Sequence, residues 1–162
     1  MIIAFCFLPV NRFFIDRLIY PPCPPNSIYA IISIGRRSLL CTIIEFYTNR
    51  NGQSEILNFL EALRTKSKTS KDARIQYNQI VFYIDLLAKN GSNLPIKITK
   101  HLEEDIWELR PGYNRVFYFY YDNKQYVLLH HFRKKSQKTP AKELLRAKAE
   151  RDDYIKQKEE KS

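Results

Sequence analysis

The sequence predicts an α+β fold: a small antiparallel or mixed sheet of about four strands, packed on a two-helix hairpin and followed by a C-terminal helix. Apolar residues recur at helical spacing through the middle of the chain, between residues 56 and 88. Between residues 106 and 132, runs rich in aromatic and β-branched residues are separated by short turns, which is typical of antiparallel strands. Apolar residues make up 44% of the 162 residues, so we expect one domain with appendages.

Residues 1–40 stand apart from this pattern. Met1 to Val10 is apolar but too short for a bilayer-spanning helix, which needs ~20 residues, and it lacks the basic start of a signal peptide. The prolines between residues 21 and 25 then oppose regular structure. We interpret residues 1–40 as an extension outside the fold, which leaves open whether they belong to the natural protein. The alternative is a membrane-associated arm.

The cysteine pattern and the net charge limit the kinds of site and partner that the sequence predicts. Cys6, Cys23 and Cys41 form no Cys-x-x-Cys or Cys/His pattern, so we predict neither a zinc site nor a disulfide framework. Their odd number fits a reducing cytoplasm. Lys and Arg number 27 against 17 Asp and Glu, a formal net charge of +10. A small domain this basic suits a polyanion or an acidic protein partner.

The folded domain is predicted to begin with a strand at residues 41–47. Ser54 has the side chain of a helix N-cap, and Glu55 suits the first turn of the helix that follows. A second helix is predicted over residues 71–89, where the apolar residues keep a regular 3.6-residue period and Asn90-Gly91 supplies the stop. Two successive helices with one apolar stripe each indicate a hairpin that lies on a sheet.

The remainder is predicted as strands and one more helix. The predicted strands are residues 96–102, 106–110, 115–121 and 125–132. Thr139 is the predicted N-cap of the last helix, with Pro140 at its first position. From Lys156 onward the sequence is nearly all charged and is expected to fray. The predicted domain therefore covers residues 41–155, with 156–162 as a charged tail.

Cationic side chains collect near one end of the predicted sheet. They are Lys97, Lys100, Arg110, Arg115, Arg133, Lys134 and Lys135. Alternation places Glu108 and Arg110 on one face of their strand, and Arg115 and Phe117 on one face of the next. Arginine and lysine side chains suit phosphate oxygens, so the pattern indicates a phosphate-binding pocket. An ordinary solvated charged face accounts for the same residues equally well.

Two adjacent histidines are candidates for proton transfer. In a regular strand neighbours point to opposite faces, so alternation groups His130 with Leu128 and Phe132, and His131 with Val127 and Leu129. Both groups are apolar, and which histidine faces the pocket stays open. Tyr113, in a polar turn, is the aromatic ring expected to be exposed. The sequence contains no P-loop, Ser/His/Asp set or Gly-rich dinucleotide motif.

Three segments together carry a resemblance to a known family: Trp107-Glu-Leu-Arg110, Arg115-Val-Phe-Tyr118, and the run from His130 to Pro140. With Ile44-Glu-Phe-Tyr47 and Tyr83-Ile-Asp-Leu-Leu87, the chain resembles the RelE/ParE toxin superfamily over about residues 41–154. It is most similar to the HigB-type, phage-related branch. The resemblance does not extend to residues 1–40.

The resemblance implies the toxin of a bacterial type II toxin–antitoxin module, a cytoplasmic mRNA interferase that cuts translated mRNA on the ribosome. It implies a cognate helix-turn-helix antitoxin, contacts with ribosomal RNA, and no membrane association. It also implies a reaction without a metal or other cofactor, in which the 2′-hydroxyl attacks the adjacent phosphate. Such a site must stabilise the phosphorane with its own cations and needs a base and an acid.

The resemblance also implies roles for particular residues. Arg110 and Lys135 are expected to contact the scissile phosphate, with Arg115 and Lys134 in support. His130 or a lysine is expected to be the general base. The residues expected to bind RNA are Lys97, Lys100, Arg133, Lys138 and Tyr113. The family's C-terminal catalytic tyrosine has no match, because Thr139-Pro140 occupies that region, and this leaves the base open.

Two other functions stay open at this stage. A ParE-type inhibitor of DNA gyrase would share the fold and cut no RNA. A non-catalytic RNA-binding remnant of a phage gene would bind RNA in a salt-sensitive manner without being toxic. The cations at the strand ends favour the nuclease over both.

Overall fold

The computed structural model describes residues 27–29, 43–122, 125–134 and 140–161, the first of these segments by its backbone alone. Some of the predictions fall outside the described residues. They concern the three cysteines, Lys135, Lys138, Thr139 and most of the N-terminal extension.

Within the described residues, six strands and three helices follow one another. The strands are β1 (Ser27–Tyr29), β2 (Ile43–Phe46), β3 (Thr99–Glu103), β4 (Ile106–Leu109), β5 (Asn114–Tyr120) and β6 (Gln125–Arg133). The helices are α1 (Glu55–Lys66), α2 (Lys71–Asn90) and α3 (Ala141–Glu159). The predicted α+β fold, with a sheet, a helical hairpin and a C-terminal helix, is confirmed.

The strands form one mixed sheet in the order β1-β2-β6-β5-β4-β3. β2 and β6 are parallel, and the other neighbouring pairs are antiparallel. The sheet is wider than the predicted four strands, partly because β1 pairs with β2 although it lies inside the segment interpreted as an extension. The rest of that interpretation stays a prediction. β3 starts later than predicted because a turn closes first, with the Ile98 amide donating to the Pro95 carbonyl at 2.8 Å.

The hairpin of α1 and α2 covers one face of the sheet, as its apolar stripes predict. The Ser70 hydroxyl caps α2 by accepting a hydrogen bond from the Ala73 amide at 3.3 Å, and Gly91 ends it with a positive φ of 61°. Ser54 occupies the N-cap position of α1, but its hydroxyl makes no capping bond, so that part of the prediction is wrong. Between hairpin and sheet lies a core that includes Ile56, Ile80, Leu87, Leu109, Val116 and Leu128.

Helix α3 packs on the opposite face of the sheet, over a second core that includes Ile106, Phe117, Phe119, Val127, Leu129 and Tyr154. It continues to Glu159, beyond the point where the tail was expected to fray. The extra turn is held by Lys158, whose Nζ lies 3.1 Å from a Glu45 carboxylate oxygen on β2. Among the described residues, no helix combines the length and apolarity needed to cross a bilayer.

A bulge in β6 decides which way the two histidines point. Val116 pairs with His131 and Tyr118 pairs with Leu128, so Leu129 and His130 both lie opposite the single residue Phe117. His130 therefore joins Leu129 on the α3 face, and His131 turns to the hairpin face. The grouping of His130 with Leu128 was wrong because simple alternation does not hold across a bulge.

Candidate functional site

Glu108, in the middle of β4, is the centre of a charged cluster on the α3 face of the sheet. Its side chain has no exposed surface. One oxygen, Oε1, accepts a hydrogen bond from Arg110 Nε at 2.9 Å and lies 3.2 Å from Arg115 Nε. We call these residues, with Lys100, the arginine centre. The sequence predicted that both arginines would lie near one end of the sheet, and the structure brings them to one carboxylate.

Each arginine is also fixed by backbone carbonyls. Arg110 Nη1 donates to the Ile96 carbonyl at 3.1 Å. Arg115 Nη1 donates to the carbonyls of Gly112 and Asn114, both at 2.7 Å. Burial lowers the pKa of the Arg115 guanidinium from its ordinary value, and the Glu108 carboxylate opposes this shift. The arginine stays charged because its pKa starts well above neutrality.

Lys100 lies on the same face as Glu108. The two residues are directly opposite each other in the antiparallel pair of β3 and β4, so their side chains are neighbours. Lys100 is exposed and makes no ion pair with the described residues. Lys97 is exposed as well and follows Ile96, the residue whose carbonyl holds Arg110. The structure therefore places Lys100 within the arginine centre and Lys97 next to a residue that holds it.

The β4–β5 turn forms the rim of this site. Tyr113 is 75% exposed at its tip, as the sequence predicted. Its carbonyl accepts a hydrogen bond from the Lys134 amide at 2.9 Å, which holds Lys134 beside the turn. Gly112 has a positive φ of 60°, and a Cβ there would lie 2.5 Å from Gln79 Oε1 on α2. Glycine suits this position because other residues rarely adopt a positive φ.

The remaining predicted cations divide into two groups. Arg133 pairs with Asn114 at the end of β6, and directly opposite residues share a face, so it points to the face opposite Arg115. Arg133 is therefore not part of the arginine centre. Lys135 and Lys138 lie outside the described residues, and their roles stay predictions.

His130 is enclosed in a second cluster, which we call the histidine centre. The ring has no exposed surface. Its Nδ1 lies 2.6 Å from Glu150 Oε2, and its Nε2 lies 3.3 Å from Glu143 Oε2. Arg146 donates to the other Glu150 oxygen at 2.9 Å and also pairs with Glu55 of α1. Because both ring nitrogens face carboxylates of α3, this environment favours a structural role for His130 over proton transfer to a substrate.

His131 stacks on Phe59 of α1, with ring centroids 3.5 Å apart. Burial lowers the pKa of His131 to about 4, and the carboxylate of Glu55, 3.8 Å from Nδ1, only partly offsets this. The imidazole is therefore neutral at pH 7. It packs against the hairpin, on the opposite face of the sheet from the arginine centre.

Sequence reasoning missed one residue of the site, Glu108. It was placed correctly on the face of Arg110, but a carboxylate on a strand is usually exposed, and nothing in its spacing predicted complete burial. The two arginines on the same face were the available signal, since buried carboxylates require cationic partners.

The arginine centre is suited to binding an anion. Two guanidinium groups contact the Glu108 carboxylate, Lys100 lies opposite Glu108 on β3, and Lys100 and Tyr113 are open to solvent. Guanidinium groups bind phosphate oxygens, and an exposed aromatic ring can stack on a nucleobase. Within the described residues, no group of three or more His, Cys, Asp or Glu side chains is arranged to hold a metal ion.

Comparison with known proteins identifies the family. Residues 59–152 match the model of the family described as phage-derived protein Gp49-like. No curated protein matches the chain. The matched segment contains α2, strands β3 to β6 and most of α3, and therefore the whole arginine centre. The chain belongs to the phage-derived protein Gp49-like family, within the RelE/ParE-like superfamily of toxin–antitoxin toxins.

Proposed function

We propose that this protein is the HigB-type toxin of a type II toxin–antitoxin module and cleaves translated mRNA on the ribosome. The observation that supports the proposal is the convergence of Lys100, Arg110 and Arg115 around Glu108. Three cations against one carboxylate leave an excess of positive charge at the sheet end. A phosphodiester backbone would neutralise that excess.

The proposed reaction is an internal transfer of the phosphodiester. The ribose 2′-oxygen forms a bond to the adjacent phosphorus, and the bond from phosphorus to the 5′-oxygen breaks. The products are a 2′,3′-cyclic phosphate and a 5′-hydroxyl, with the 2′-proton passing to a base and the 5′-oxygen taking a proton from an acid. Arg110 and Arg115 stabilise the charge that develops on the non-bridging oxygens.

Lys100 is the described residue best placed to exchange a proton, because it is exposed and beside the two arginines. Lys135 joins Arg110 at the phosphate on sequence grounds. His130 is left out of the chemistry, since its ring is enclosed by Glu143 and Glu150. A neutral His131 on the other face of the sheet is left out as well.

The flanking nucleotides would lie along the rim of the site. Tyr113 offers its exposed ring to a base. Lys97 and Lys134, with Lys138 from sequence, supply phosphate contacts, and Arg133 binds RNA from the far face at the same end of the sheet. Binding to mRNA and ribosomal RNA should therefore weaken steeply as salt is raised.

The test is to induce the protein in growing bacteria and map the 5′ ends of a translated message. Cuts in phase with codons are expected for the wild type and are expected to disappear in the Arg110→Ala, Arg115→Ala double variant. The matched control is Arg64→Ala, Arg74→Ala, which removes the same charge from exposed positions of α1 and α2. Cuts that persist in the site variant would contradict the assignment of residues.

The other outcomes identify the alternatives. An intact message with inhibited DNA supercoiling would indicate a ParE-type gyrase inhibitor. An intact message with salt-sensitive RNA binding and normal growth would indicate a non-catalytic protein. Co-expression of the neighbouring gene tests the antitoxin: growth should be restored if that gene encodes the expected helix-turn-helix partner.

A further inference from the structure

We propose that Glu108 is a positioning residue, which orients the guanidinium groups of Arg110 and Arg115 so that each presents an Nη2 donor to the substrate phosphate. The inference rests on the proposed function, because it concerns how that site holds a phosphodiester. It assigns Glu108 a part in the reaction without contact with the reacting atoms.

The burial of the Glu108 carboxylate supports this role. Glu108 has no exposed surface, and a buried carboxylate is stable only where cations and hydrogen bonds replace its water. Arg110 and Arg115 meet this need through the same oxygen, Oε1. A single anchoring atom fixes the distance between the two guanidinium groups as well as their position on the sheet.

The guanidinium nitrogens that Arg110 and Arg115 use for their contacts also support this role. Both arginines approach Glu108 through Nε, and both direct Nη1 to backbone carbonyls. Nη2 of each guanidinium makes no hydrogen bond with any described residue. Arg110 is held by hydrogen bonds at Nε and Nη1, and Arg115 by two hydrogen bonds at Nη1 and an ion pair of 3.2 Å at Nε. A planar guanidinium held at two nitrogens has one orientation, so the two Nη2 groups are fixed relative to each other. A phosphate with two non-bridging oxygens matches such a pair.

The charges of the two arginines support this role as well. Two guanidinium groups that share one partner repel each other, and the charge on Arg110 contributes to the lowered pKa of Arg115. The carboxylate between them offsets this repulsion. Its removal would raise the local positive charge by one and at the same time release the arginines from their common anchor.

Loss of the carboxylate should affect RNA binding and cleavage in opposite directions. This difference separates a positioning role from a merely electrostatic one. Glu108→Gln makes the site more positive, so RNA should bind as tightly as before or slightly tighter. Cleavage should become slower, because a misplacement of about 1 Å costs roughly 100-fold in rate. A residue that serves only the stability of the fold would change the folded fraction and leave the rate per folded molecule unchanged.

The experiment measures each full-length variant in two ways. One measurement is the affinity for an RNA whose scissile ribose is 2′-deoxy, and the other is the single-turnover cleavage rate on programmed ribosomes. Glu108→Gln is expected to bind within about 2-fold of wild type or tighter and to cleave roughly 100-fold more slowly. Glu61→Gln, at an exposed position of α1, is the control and should change neither quantity by more than about 2-fold.

A double-mutant cycle with Arg110→Ala tests whether Glu108 acts through the arginine. In the Arg110→Ala background, Glu108→Gln should cost less than about 10-fold, because one of the groups that it positions is missing. Fully additive losses, or a Glu108→Gln rate within about 3-fold of wild type, would overturn the proposal. If Glu108→Gln does not fold, Glu108→Asp replaces it: the charge stays, the anchor retracts by one methylene, and a wild-type rate would again overturn the proposal.

A readout that does not depend on cleavage separates this inference from the proposed function. Besides the signals of arginines paired elsewhere, such as Arg146 and Arg151, nuclear magnetic resonance should show one slowly exchanging Nε–H signal each from Arg110 and Arg115 in the wild type and in Glu61→Gln. Both signals should be lost in Glu108→Gln. Their persistence would overturn the positioning role. Their loss, together with a wild-type protein that cuts no RNA, would refute the nuclease and leave the positioning of the arginines standing.

Discussion

The arginine centre and the histidine centre lie on the same face of one sheet, on either side of a single ring. Glu108 pairs with Phe117 across β4 and β5, and Phe117 contacts His130 on β6 with ring centroids 5.0 Å apart. Both centres therefore place a buried ionisable group on the central strands. They differ in what surrounds that group, and in whether the surroundings are open.

At the arginine centre, cations exceed carboxylates, and exposed side chains border the cluster. At the histidine centre, Glu143 and Glu150 meet one imidazole and one guanidinium, and α3 covers the ring completely. An open centre with unbalanced charge can take up an external anion. The histidine centre is closed over the His130 ring and joins α3 to β6. Burial of an ionisable group therefore does not by itself indicate a binding site, and the positive excess beside solvent is what distinguishes the arginine centre.

The largest effect is expected from a substitution that breaks the arginine centre. Arg110→Ala should lower the cleavage rate about 10²- to 10³-fold, because one preorganised donor to the developing charge is lost. The fold should survive, since Arg115 still neutralises Glu108. Single-turnover kinetics on programmed ribosomes measure the loss, and Arg64→Ala provides the control. A rate within 3-fold of wild type would show that this arginine is not at the phosphate.

A substitution that breaks the histidine centre should lower the stability of the fold and leave the cleavage rate unchanged. His130→Ala should lower the free energy of unfolding by about 3 kcal/mol, because it leaves a cavity and removes the imidazole that faces Glu143 and Glu150. The cleavage rate per folded molecule should stay at the wild-type value. Urea unfolding measures the first quantity and active-site titration with kinetics the second. A specific loss of rate would return His130 to the catalytic set.

His131 is expected to make the stability of the fold depend on pH. Burial holds its folded-state pKa at about 4, below the ordinary value of 6.5, so the unfolded chain binds the proton more readily. The stability is then fully present above pH 6.5 and is lost as pH falls towards 4, by about 2 kcal/mol after allowance for partial exposure. His131→Phe, which keeps a ring on Phe59, should remove this dependence. Unfolding curves at pH 7, 5.5 and 4 would reveal an unchanged dependence if the assignment is wrong.

The smallest expected effect concerns a third, exposed cluster. Lys148 and Arg151 of α3 hold Glu104 in the β3–β4 turn and lower its pKa to about 2. A depressed carboxylate pKa stabilises the fold above about pH 4.5, and this contribution disappears as pH falls to 2. Glu104→Gln should therefore reduce the melting temperature slightly at pH 7 and not at pH 2, because exposed pairs contribute little. An equal reduction at both pH values would point to lost packing.

The sequence predicted the hairpin and the faces of the arginines because both depend on local periodicity. The apolar stripe of α2 ends at a glycine, and alternation alone places Glu108 with Arg110, and Arg115 with Phe117. No bulge interrupts β4 or the first residues of β5, so the period of two holds there.

The remainder depends on contacts that are distant in sequence. The β6 bulge reverses both histidines, and it is visible only once β5 fixes the register. The parallel pairing of β2 with β6 joins residues about 80 positions apart, which no local pattern reports. The burial of Glu108 required the pairing of β4 with both of its neighbours.

The position of β6 within the sheet has a consequence for biosynthesis. β6 is the last strand to be made, yet it lies between β2 and β5 and contributes pairs to both. Until residues 125–133 have left the ribosome, β2 has no partner on that side and β5 has only β4. The strand that carries Arg115 is then an unprotected edge. A growing chain therefore carries the residues of the arginine centre, from Lys100 to Arg115, before β6 can pair with β5 and close the sheet.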